Sequence, residues 1–296
     1  RMFRSSISRP LLLDVTTNLG GLGAALLILA SGNSVAQSLD TSMVHELRPA
    51  EVIAPLPYAA QPMADTIGAL IMAGKRTVII HPGAQQADLS VNAARQVFAK
   101  VPGISVWESD GSGAQLGIAA RGLSPNRSWE FNMRQNGHDI CADVFGYPEA
   151  YYTPPLEAVD RIEVVRGAAS LAFGPQFGGM VNFRMKRGAA DRPMAFETRQ
   201  TLSAFGAMNS YNGLGGTKGR WNWYTYVHHR SAEGWRENSR YTTTTVYGAL
   251  EYQASDKLKL GAQFTRMDLR SQQPGGLTDG AFTTDPRSST RQRNWL

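Results

Sequence analysis

The sequence predicts a mixed α/β domain followed by the start of an antiparallel transmembrane β-barrel. Three observations predict this fold class: the composition, the mixed strand and helix patterns in residues 75–187, and the short alternating strands from residue 193 onward. Only 18% of the 296 residues are charged, whereas the chain has 30 Gly, 6 Trp, 10 Tyr and 11 Phe. This composition favours strands with many turns and aromatic belts over a helical enzyme.

The charge and the reactive side chains do not indicate an enzyme or a nucleic-acid-binding protein. The net charge of +6 is mild and unclustered, so nucleic acid is not an expected partner. The single cysteine, Cys141, can form no internal disulfide. His228 and His229 adjoin in a predicted strand, so their side chains point to opposite faces and cannot hold one ion together. We interpret both as exposed or interfacial histidines, and we expect no catalytic residues, no metal site and no cofactor.

Residues 1–36 are typical of an export signal. Three arginines precede an apolar run at residues 19–30, and Ser34 and Ala36 supply the small side chains of a cleavage site before Gln37. The apolar run is shorter than the roughly 20 residues that a membrane-spanning helix needs. The sequence therefore predicts a mature chain that begins near residue 37, with a polar, Pro- and Ala-rich leader over residues 37–74.

Residues 75–187 are predicted to form one compact domain. A strand is expected at residues 75–80, and the spacing of apolar residues predicts a helix over 90–100. Alternating apolar residues lead into Asn136-Gly137, a dipeptide suited to a type I′ hairpin because both positions tolerate positive φ. Two further strands are predicted at 161–166 and 180–185.

Residues 193–296 are predicted to form five to six strands of an incomplete barrel. The strands are expected at 195–205, 209–216, 220–230, 241–253 and 258–270, with a sixth starting near Arg291. In the fourth strand, Val246 and Leu250 share one face, and Thr243 and Thr245 share the other. Residues 254–257 form a tight connection and 271–291 a long one, which is the asymmetry of an outer-membrane barrel. A soluble β-sandwich is the alternative and fits this asymmetry less well.

The segment 154–187 resembles the end of the plug domain in TonB-dependent outer-membrane receptors. It has a charged strand stopped by Gly167, a Gly178-Gly179 pair, a second strand, and the basic Lys186-Arg187. Earlier parts of the family pattern, Val-Pro-Gly-Ile-Ser-Val at 101–106 and Ile-Ala-Ala-Arg-Gly at 118–122, occur in the same order. The resemblance implies a barrel of about 22 strands in a complete member. Since five or six strands would expose unpaired backbone to lipid, we expect this sequence to be a truncated product that forms no transporter alone.

Within that family, the resemblance is closest to ferric-dicitrate-type receptors. It lies in residues 124–128, 151–155, 273–279 and 293–295. The resemblance implies plug-gated import of a ferric chelate, such as ferric citrate or another siderophore, through the outer membrane of a Gram-negative bacterium. The implied partners are the TonB energy-coupling complex, the ferric siderophore and outer-membrane lipid. Two alternatives remain open: TonB-dependent uptake of cobalamin or an oligosaccharide, and a surface-binding barrel protein that transports nothing.

The same resemblance implies three groups of site residues. The segment 51–55 resembles the TonB box, a strand that pairs with TonB by β-augmentation, and its contact residues would be Glu51, Val52, Ile53 and Ala54. Arginines at the ends of two plug strands would pair with barrel glutamates and lock the plug, namely Arg121 and Arg166. The plug loops at 107–113, 124–129 and 145–152 would face the substrate, and the candidate contacts there are Trp107, Asn126, Arg127, Ser128, Phe145 and Tyr147.

We predict that Val52→Pro or Ile53→Pro abolishes transport and leaves chelate binding intact in the full-length gene product. Proline fixes φ and removes a backbone donor, so a strand at this position could no longer pair with a partner. Uptake and binding of radiolabelled ferric chelate by whole cells measure the two effects separately. Transport at the wild-type rate in both proline variants would place the coupling segment elsewhere, with residues 74–80 as the next candidate.

Overall fold

The structure, a computed structural model, describes residues 60–64, 66–67, 70–71, 77–85, 87–98, 101–108, 111–142, 150–166 and 177–291. The predicted export signal and the TonB-box-like segment lie outside these residues, as does the predicted sixth strand beyond Arg291. No helix within the described ranges is long and apolar enough to cross a membrane.

The first part of the described chain is built on a six-stranded mixed sheet. Its strands, with two small hairpins, are β1 (Ala60–Pro62), β2 (Thr66–Ile67), β3 (Leu70–Ile71), β4 (Val78–Ile80), β5 (Ile104–Glu108), β6 (Leu116–Ala120), β7 (Phe131–Gln135), β8 (His138–Asp139), β9 (Val159–Val165) and β10 (Gly179–Met185). The order in the six-stranded sheet is β1-β4-β9-β10-β7-β8, and the β10–β7 pair is parallel. The pairs β2–β3 and β5–β6 form separate two-stranded sheets.

The centre of this sheet is apolar on the side that faces the core. Ile162 and Val164 of β9 and Val181 and Phe183 of β10 are buried in one cluster. Because β9 and β10 have neighbours on both sides, their backbone groups are paired and their side chains can be fully enclosed. The predicted strands at 161–166 and 180–185 are therefore confirmed as the middle of the sheet.

Two asparagines decide the local geometry of this domain. Asn136 (φ 51°) and Gly137 (φ 87°) form the turn between β7 and β8, as the dipeptide predicts. The predicted helix over 90–100 is shorter, since α1 spans Ala94–Phe98 among the described residues. Asn92 has a φ of 54°, its amide donates to Gly113 O at 2.9 Å, and its Oδ1 accepts from Leu156 N at 3.2 Å. The chain before α1 is thus bound to other segments instead of continuing the helix.

The second part of the described chain is a five-stranded antiparallel meander. Its strands are β11 (Ala195–Ser203), β12 (Ala207–Lys218), β13 (Trp221–Ala232), β14 (Tyr241–Ser255) and β15 (Leu258–Ser271), in that order in the sheet. All five predicted strands are present. The two-residue turns at 219–220 and 256–257 lie at one end, and the longer connections after Ala232 and Ser271 lie at the other. The last connection contains a short helix that the sequence did not predict, α2 (Asp279–Thr284), capped by Thr278.

The sheet has two chemically different faces, as its period-two pattern predicts. Thr243 and Thr245 of β14 are buried on the face towards the first domain, whereas Val246 and Leu250 are exposed on the other. The buried face also carries a tyrosine cluster, in which the Tyr226 ring lies 5.7 Å from Tyr211 and 5.3 Å from Tyr247. These tyrosines belong to the same core cluster as the six-stranded sheet. The first domain therefore covers the inner face of β12–β14.

We predict that Gly179→Ala disrupts the first domain. Gly179 has a φ of 126°, and an added Cβ would lie 2.2 Å from Val165 O. Backbone strain and this clash together should cost at least about 2 kcal/mol, seen as a lower thermal midpoint of the purified full-length protein. Gly83→Ala is the matched control because a Cβ there meets nothing within 4 Å. Equal midpoints for the two variants would contradict the prediction.

Candidate functional site

The boundary between the first domain and the inner face of the strands is held by polar contacts, which we call the seam. Its first part is a buried chain of three side chains. Asn209 Nδ2 of β12 donates to Glu157 Oε1 at 3.0 Å, and His228 Nε2 of β13 lies 2.5 Å from Asn209 Oδ1. Because the Asn209 amide nitrogen faces the carboxylate, its oxygen faces His228, and Nε2 of this histidine must donate. The interpretation of His228 as an exposed side chain is wrong, since it is 3% exposed.

Glu157 is an acidic group in an unusual environment. It lies in the 3-10 helix Leu156–Ala158, is 1% exposed, and its Oε2 has no hydrogen-bond partner among the described atoms. Burial raises the pKa of this carboxyl above its ordinary value, while the hydrogen bond from Asn209 and the positive charge of Arg230 act in the opposite direction. The site therefore favours the protonated form more than water does.

The second part of the seam is Arg230 of β13. Its guanidinium donates from Nη1 to Ser112 O at 2.7 Å and from Nη2 to Val91 O at 2.9 Å. Its central carbon also lies 5.6 Å from the ring centre of Tyr241. Although Arg230 is buried, both Nη1 and Nη2 donate to main-chain carbonyls of the first domain. Arg230 therefore joins β13 to two separate loops of the first domain.

The third part of the seam lies around the β7–β8 turn. Asn136 Nδ2 donates to Tyr247 Oη at 3.0 Å and to Gln263 Oε1 at 2.8 Å. The neighbouring Gln135 donates to Thr265 Oγ1 at 2.9 Å. The turn that the Asn-Gly dipeptide predicts is therefore also a docking element.

The connection between the two parts is held by ion pairs. Lys186 Nζ lies 2.7 Å from Glu197 Oε2 of β11, and Arg187 pairs with Glu251 of β14. Gly188 exchanges two hydrogen bonds with the Asn222 side chain, at 3.2 and 2.9 Å. Since the charged groups are partly exposed, each ion pair contributes less than about 1 kcal/mol. Their effect is to fix where the chain enters the sheet.

The structure describes only some of the candidate substrate-facing and TonB-contact residues. Trp107 is 56% exposed at the end of β5, and Asn126 is exposed in the 3-10 helix Asn126–Ser128. Arg127 lies in the same 3-10 helix, and only its backbone is described. Phe145 and Tyr147 lie outside the described ranges. The four TonB-contact residues 51–54 are also outside the described ranges.

Ser128 has an internal role that the sequence did not reveal. It is fully buried, its Oγ accepts from Ile118 N at 3.0 Å, and the same hydroxyl donates to Leu116 O. Both hydrogen-bonding directions of the hydroxyl are thus used to join the 3-10 helix to β6. We do not retain Ser128 as a ligand contact.

The two candidate locking arginines lie near one another in the first domain. Arg121 follows β6 with a φ of 58°, and its backbone N donates to Gly103 O at 3.3 Å. Arg166 follows β9, and its Nη1 donates to Pro102 O at 2.7 Å. Both arginines therefore adjoin the same Pro102-Gly103 turn. Their pairing with barrel glutamates stays a prediction.

Sequence reasoning missed the residues of the seam, namely Glu157, Asn209, His228 and Arg230. One signal was available: Asn209 and Tyr211, like His228 and Arg230, are two residues apart in predicted strands, so each pair shares a face. Polar residues on that face indicate a wall that contacts protein or water instead of lipid. Elsewhere in the described ranges, no three His, Cys, Asp or Glu side chains converge as metal ligands.

Comparison with known proteins identifies the first domain. Residues 73–181 match the family model of the TonB-dependent receptor plug domain. The chain is also 29% identical over 197 residues to the ferric-pyoverdine M114 receptor PbuA of Pseudomonas sp. (strain M114), which covers 62% of this chain and 22% of that receptor.

Solved structures show the same arrangement of plug and strands. The unliganded ferric citrate transporter FecA matches 73% of this chain and 34% of its own, with a TM-score of 0.58 and 24% identity. The copper transporter OprC matches 74% and 33%, with a TM-score of 0.57 and 13% identity. The pyoverdine outer membrane receptor FpvA of Pseudomonas aeruginosa PAO1 matches 67% and 28%, with a TM-score of 0.51 and 20% identity.

These comparisons show the type of the first domain and the fold of the strands. Residues 73–181 match the plug domain of TonB-dependent receptors, and the strands that follow share the fold of the start of a TonB-dependent barrel. Within the range that the structure describes, β11–β15 form an open sheet. The chain spans between a fifth and about a third of the length of the relatives it matches.

We predict that Glu157→Gln removes part of the pH dependence of stability. A carboxyl whose pKa is raised on folding binds protons more tightly in the folded state, so its contribution is fully present below the ordinary value of 4.5 and is lost as pH rises through the folded-state pKa. In the wild type, the thermal midpoint of the full-length protein should fall over this window relative to the variant.

The control for this experiment is Glu237→Gln, which removes an exposed carboxyl. Thermal midpoints of the three proteins between about pH 4 and pH 8 provide the comparison. Parallel curves for the wild type and Glu157→Gln would show that Glu157 does not titrate differently on folding.

Proposed function

We propose that this chain is the plug and the first wall strands of an outer-membrane receptor of a Gram-negative bacterium, which imports a ferric chelate of the ferric citrate or siderophore type. The observation that supports it most directly is the plug seated against the inner face of β12–β15 through a buried polar seam. In this function the plug blocks the lumen until coupling to TonB moves it, and the cargo is carried without chemical change.

The names of the similar proteins support an iron chelate as the cargo. One relative is named a ferric-pyoverdine receptor, and two solved structures are those of a ferric citrate transporter and a pyoverdine receptor. TonB would be the energy-coupling partner, because the matched plug family is defined by its dependence on TonB.

The seam suits a plug that must be displaced and then return. Its contacts are hydrogen bonds from Asn209, Arg230 and Asn136. Each intramolecular hydrogen bond contributes about 1 kcal/mol net, because water replaces the partner when the contact opens. The tyrosine cluster adds apolar packing at the same boundary, so the hydrogen bonds are the part of the seam that water can replace.

A second candidate is import of a different nutrient, such as a copper complex, cobalamin or an oligosaccharide. It is favoured by one observation, the match of the fold to a structure named copper transporter OprC. A third, a surface-binding barrel protein without transport, would use the outer loops alone.

Deletion of the gene in its host separates these functions. Cells grown under iron limitation receive radiolabelled iron as ferric citrate or as a ferric siderophore, and uptake is compared with a complemented strain. We expect lost uptake of one chelate in the deletion strain and its return on complementation. Unchanged uptake of all ferric chelates, with lost uptake of copper or cobalamin, would support the second candidate instead.

We predict that Arg127→Ala weakens chelate binding by one to two decades in the full-length protein. A charge-assisted hydrogen bond to an anionic chelate contributes about 1.5–3 kcal/mol. Binding of ferric citrate to the purified receptor measures the effect, and the thermal midpoint should not change. Lys257→Ala, which removes an exposed cation in the turn 256–257, is the control. Lower stability with unchanged affinity would instead make Arg127 a packing residue.

A further inference from the structure

The outward face of the strands ends in a distinct row beside the short turns. Lys218 is the cross-strand partner of Trp221, Trp221 of Tyr252, and Tyr252 of Leu260. Because paired residues point to the same side of a sheet, these four side chains lie in one row across β12–β15. They lie on the face opposite the buried Tyr224 and Tyr226.

The aromatic part of this row is accessible. The rings of Trp221 and Tyr252 lie in contact with their centres 4.4 Å apart and their planes tilted by 32°, and Trp221 is 47% exposed. Trp223, the next outward residue of β13, lines one open groove with these two rings. The partner of Trp223 is Leu250, so the surface beyond the row is apolar.

Two cations stand at the end of this groove. Lys218 closes β12, and Arg220 lies in the two-residue turn that follows. The Arg220 Nη1 donates to Ala254 O at 3.2 Å, which holds the guanidinium across the end of the neighbouring strand.

Of the three acidic residues near the groove, two form ion pairs with other cations, and the exception is Asp256. Asp191 pairs with Arg192 at 2.6 Å, and Glu251 pairs with Arg187 on the inner face. Asp256 lies in the next turn, beside Lys257. No carboxylate in the described ranges forms an ion pair with Lys218 or Arg220, so both charges are available to an anion.

We propose that this groove binds an anionic glycerophospholipid of the periplasmic leaflet. The phosphate lies between Lys218 and Arg220, and the glycerol and upper acyl chains lie along Trp221, Trp223 and Tyr252. Tryptophan and tyrosine favour the membrane interface, and cations beside them attract anionic headgroups. The inference rests on the outer-membrane location in the proposed function and is independent of the cargo.

The course of the chain indicates that the groove lies at the periplasmic end of the strands. The connection from the plug enters β11 at this end, next to β12, since Thr217 N donates to Arg192 O at 2.8 Å. The turns 219–220 and 256–257 lie at the same end, and short turns face the periplasm in outer-membrane barrels. The occupant is therefore a phospholipid of the inner leaflet.

The test measures lipid binding to the purified full-length protein by native mass spectrometry in a neutral detergent. The probes are dioctanoyl phosphatidylglycerol and dioctanoyl phosphatidylcholine, which share acyl chains and differ in net charge. The variant is Lys218→Gln with Arg220→Gln. The control is Lys257→Gln with Lys259→Gln, which removes one charge in the next turn and one at the start of β15 and leaves the aromatic row intact. Glu251, the partner of Lys259, keeps its ion pair with Arg187.

We expect the wild type and the control to prefer phosphatidylglycerol, and the Lys218/Arg220 variant to bind it about tenfold less tightly. Phosphatidylcholine binding should be equal in all three proteins. Equal binding of the two lipids to the wild type would overturn the inference, as would an equal loss in the control, since the attraction would then be general.

Membrane fractionation separates this inference from the proposed function. A protein absent from the outer membrane would overturn both. A protein present there that imports no ferric chelate but prefers phosphatidylglycerol would overturn only the proposed cargo. A protein that imports a chelate but shows no lipid preference would overturn only the lipid site.

Discussion

The structure depends on the requirement that the inner face of the strands be covered. This face carries Asn209, His228, Arg230 and a tyrosine cluster, all buried. Buried polar groups need partners, because an unpaired one costs about 1–3 kcal/mol. The plug supplies these partners with a carboxylate, two main-chain carbonyls and the side chains of the β7–β8 turn. Plug and strands therefore form one core although they are built on separate sheets.

The interior of the plug and its seam with the strands differ in chemistry, and this difference relates the fold to the proposed gating. Inside the plug, Ile162, Val164 and Phe183 pack in an apolar cluster. At the seam, the tyrosine cluster packs beside hydrogen bonds, and water can replace the partner in each hydrogen bond when the contact opens. A plug that moves should separate along the seam first.

The outward face of the same strands differs from the inner face, because it is apolar and exposed. Val227, Val246 and Phe264 project from it without a protein cover. Towards the short turns this apolar surface changes into the Trp221–Tyr252 ring pair and then into Lys218 and Arg220. One strand thus meets protein on one side and, in the proposed function, lipid on the other, because side chains alternate across a pleated sheet.

The strands, their two faces and the β7–β8 hairpin were determined by the sequence, because alternation and turn chemistry depend on residues close together in the chain. The plug was recognisable for the same reason, as its motifs are local. Tertiary structure alone decided that α1 begins late, that Ser128 is internal and that His228 is buried. Each of these depends on a partner in another segment of the chain: Asn92 on Leu156, Ser128 on Ile118, and His228 on Asn209 and through it on Glu157. A local pattern specifies which face a side chain occupies, but the atoms that meet it there are set by how two sheets pack.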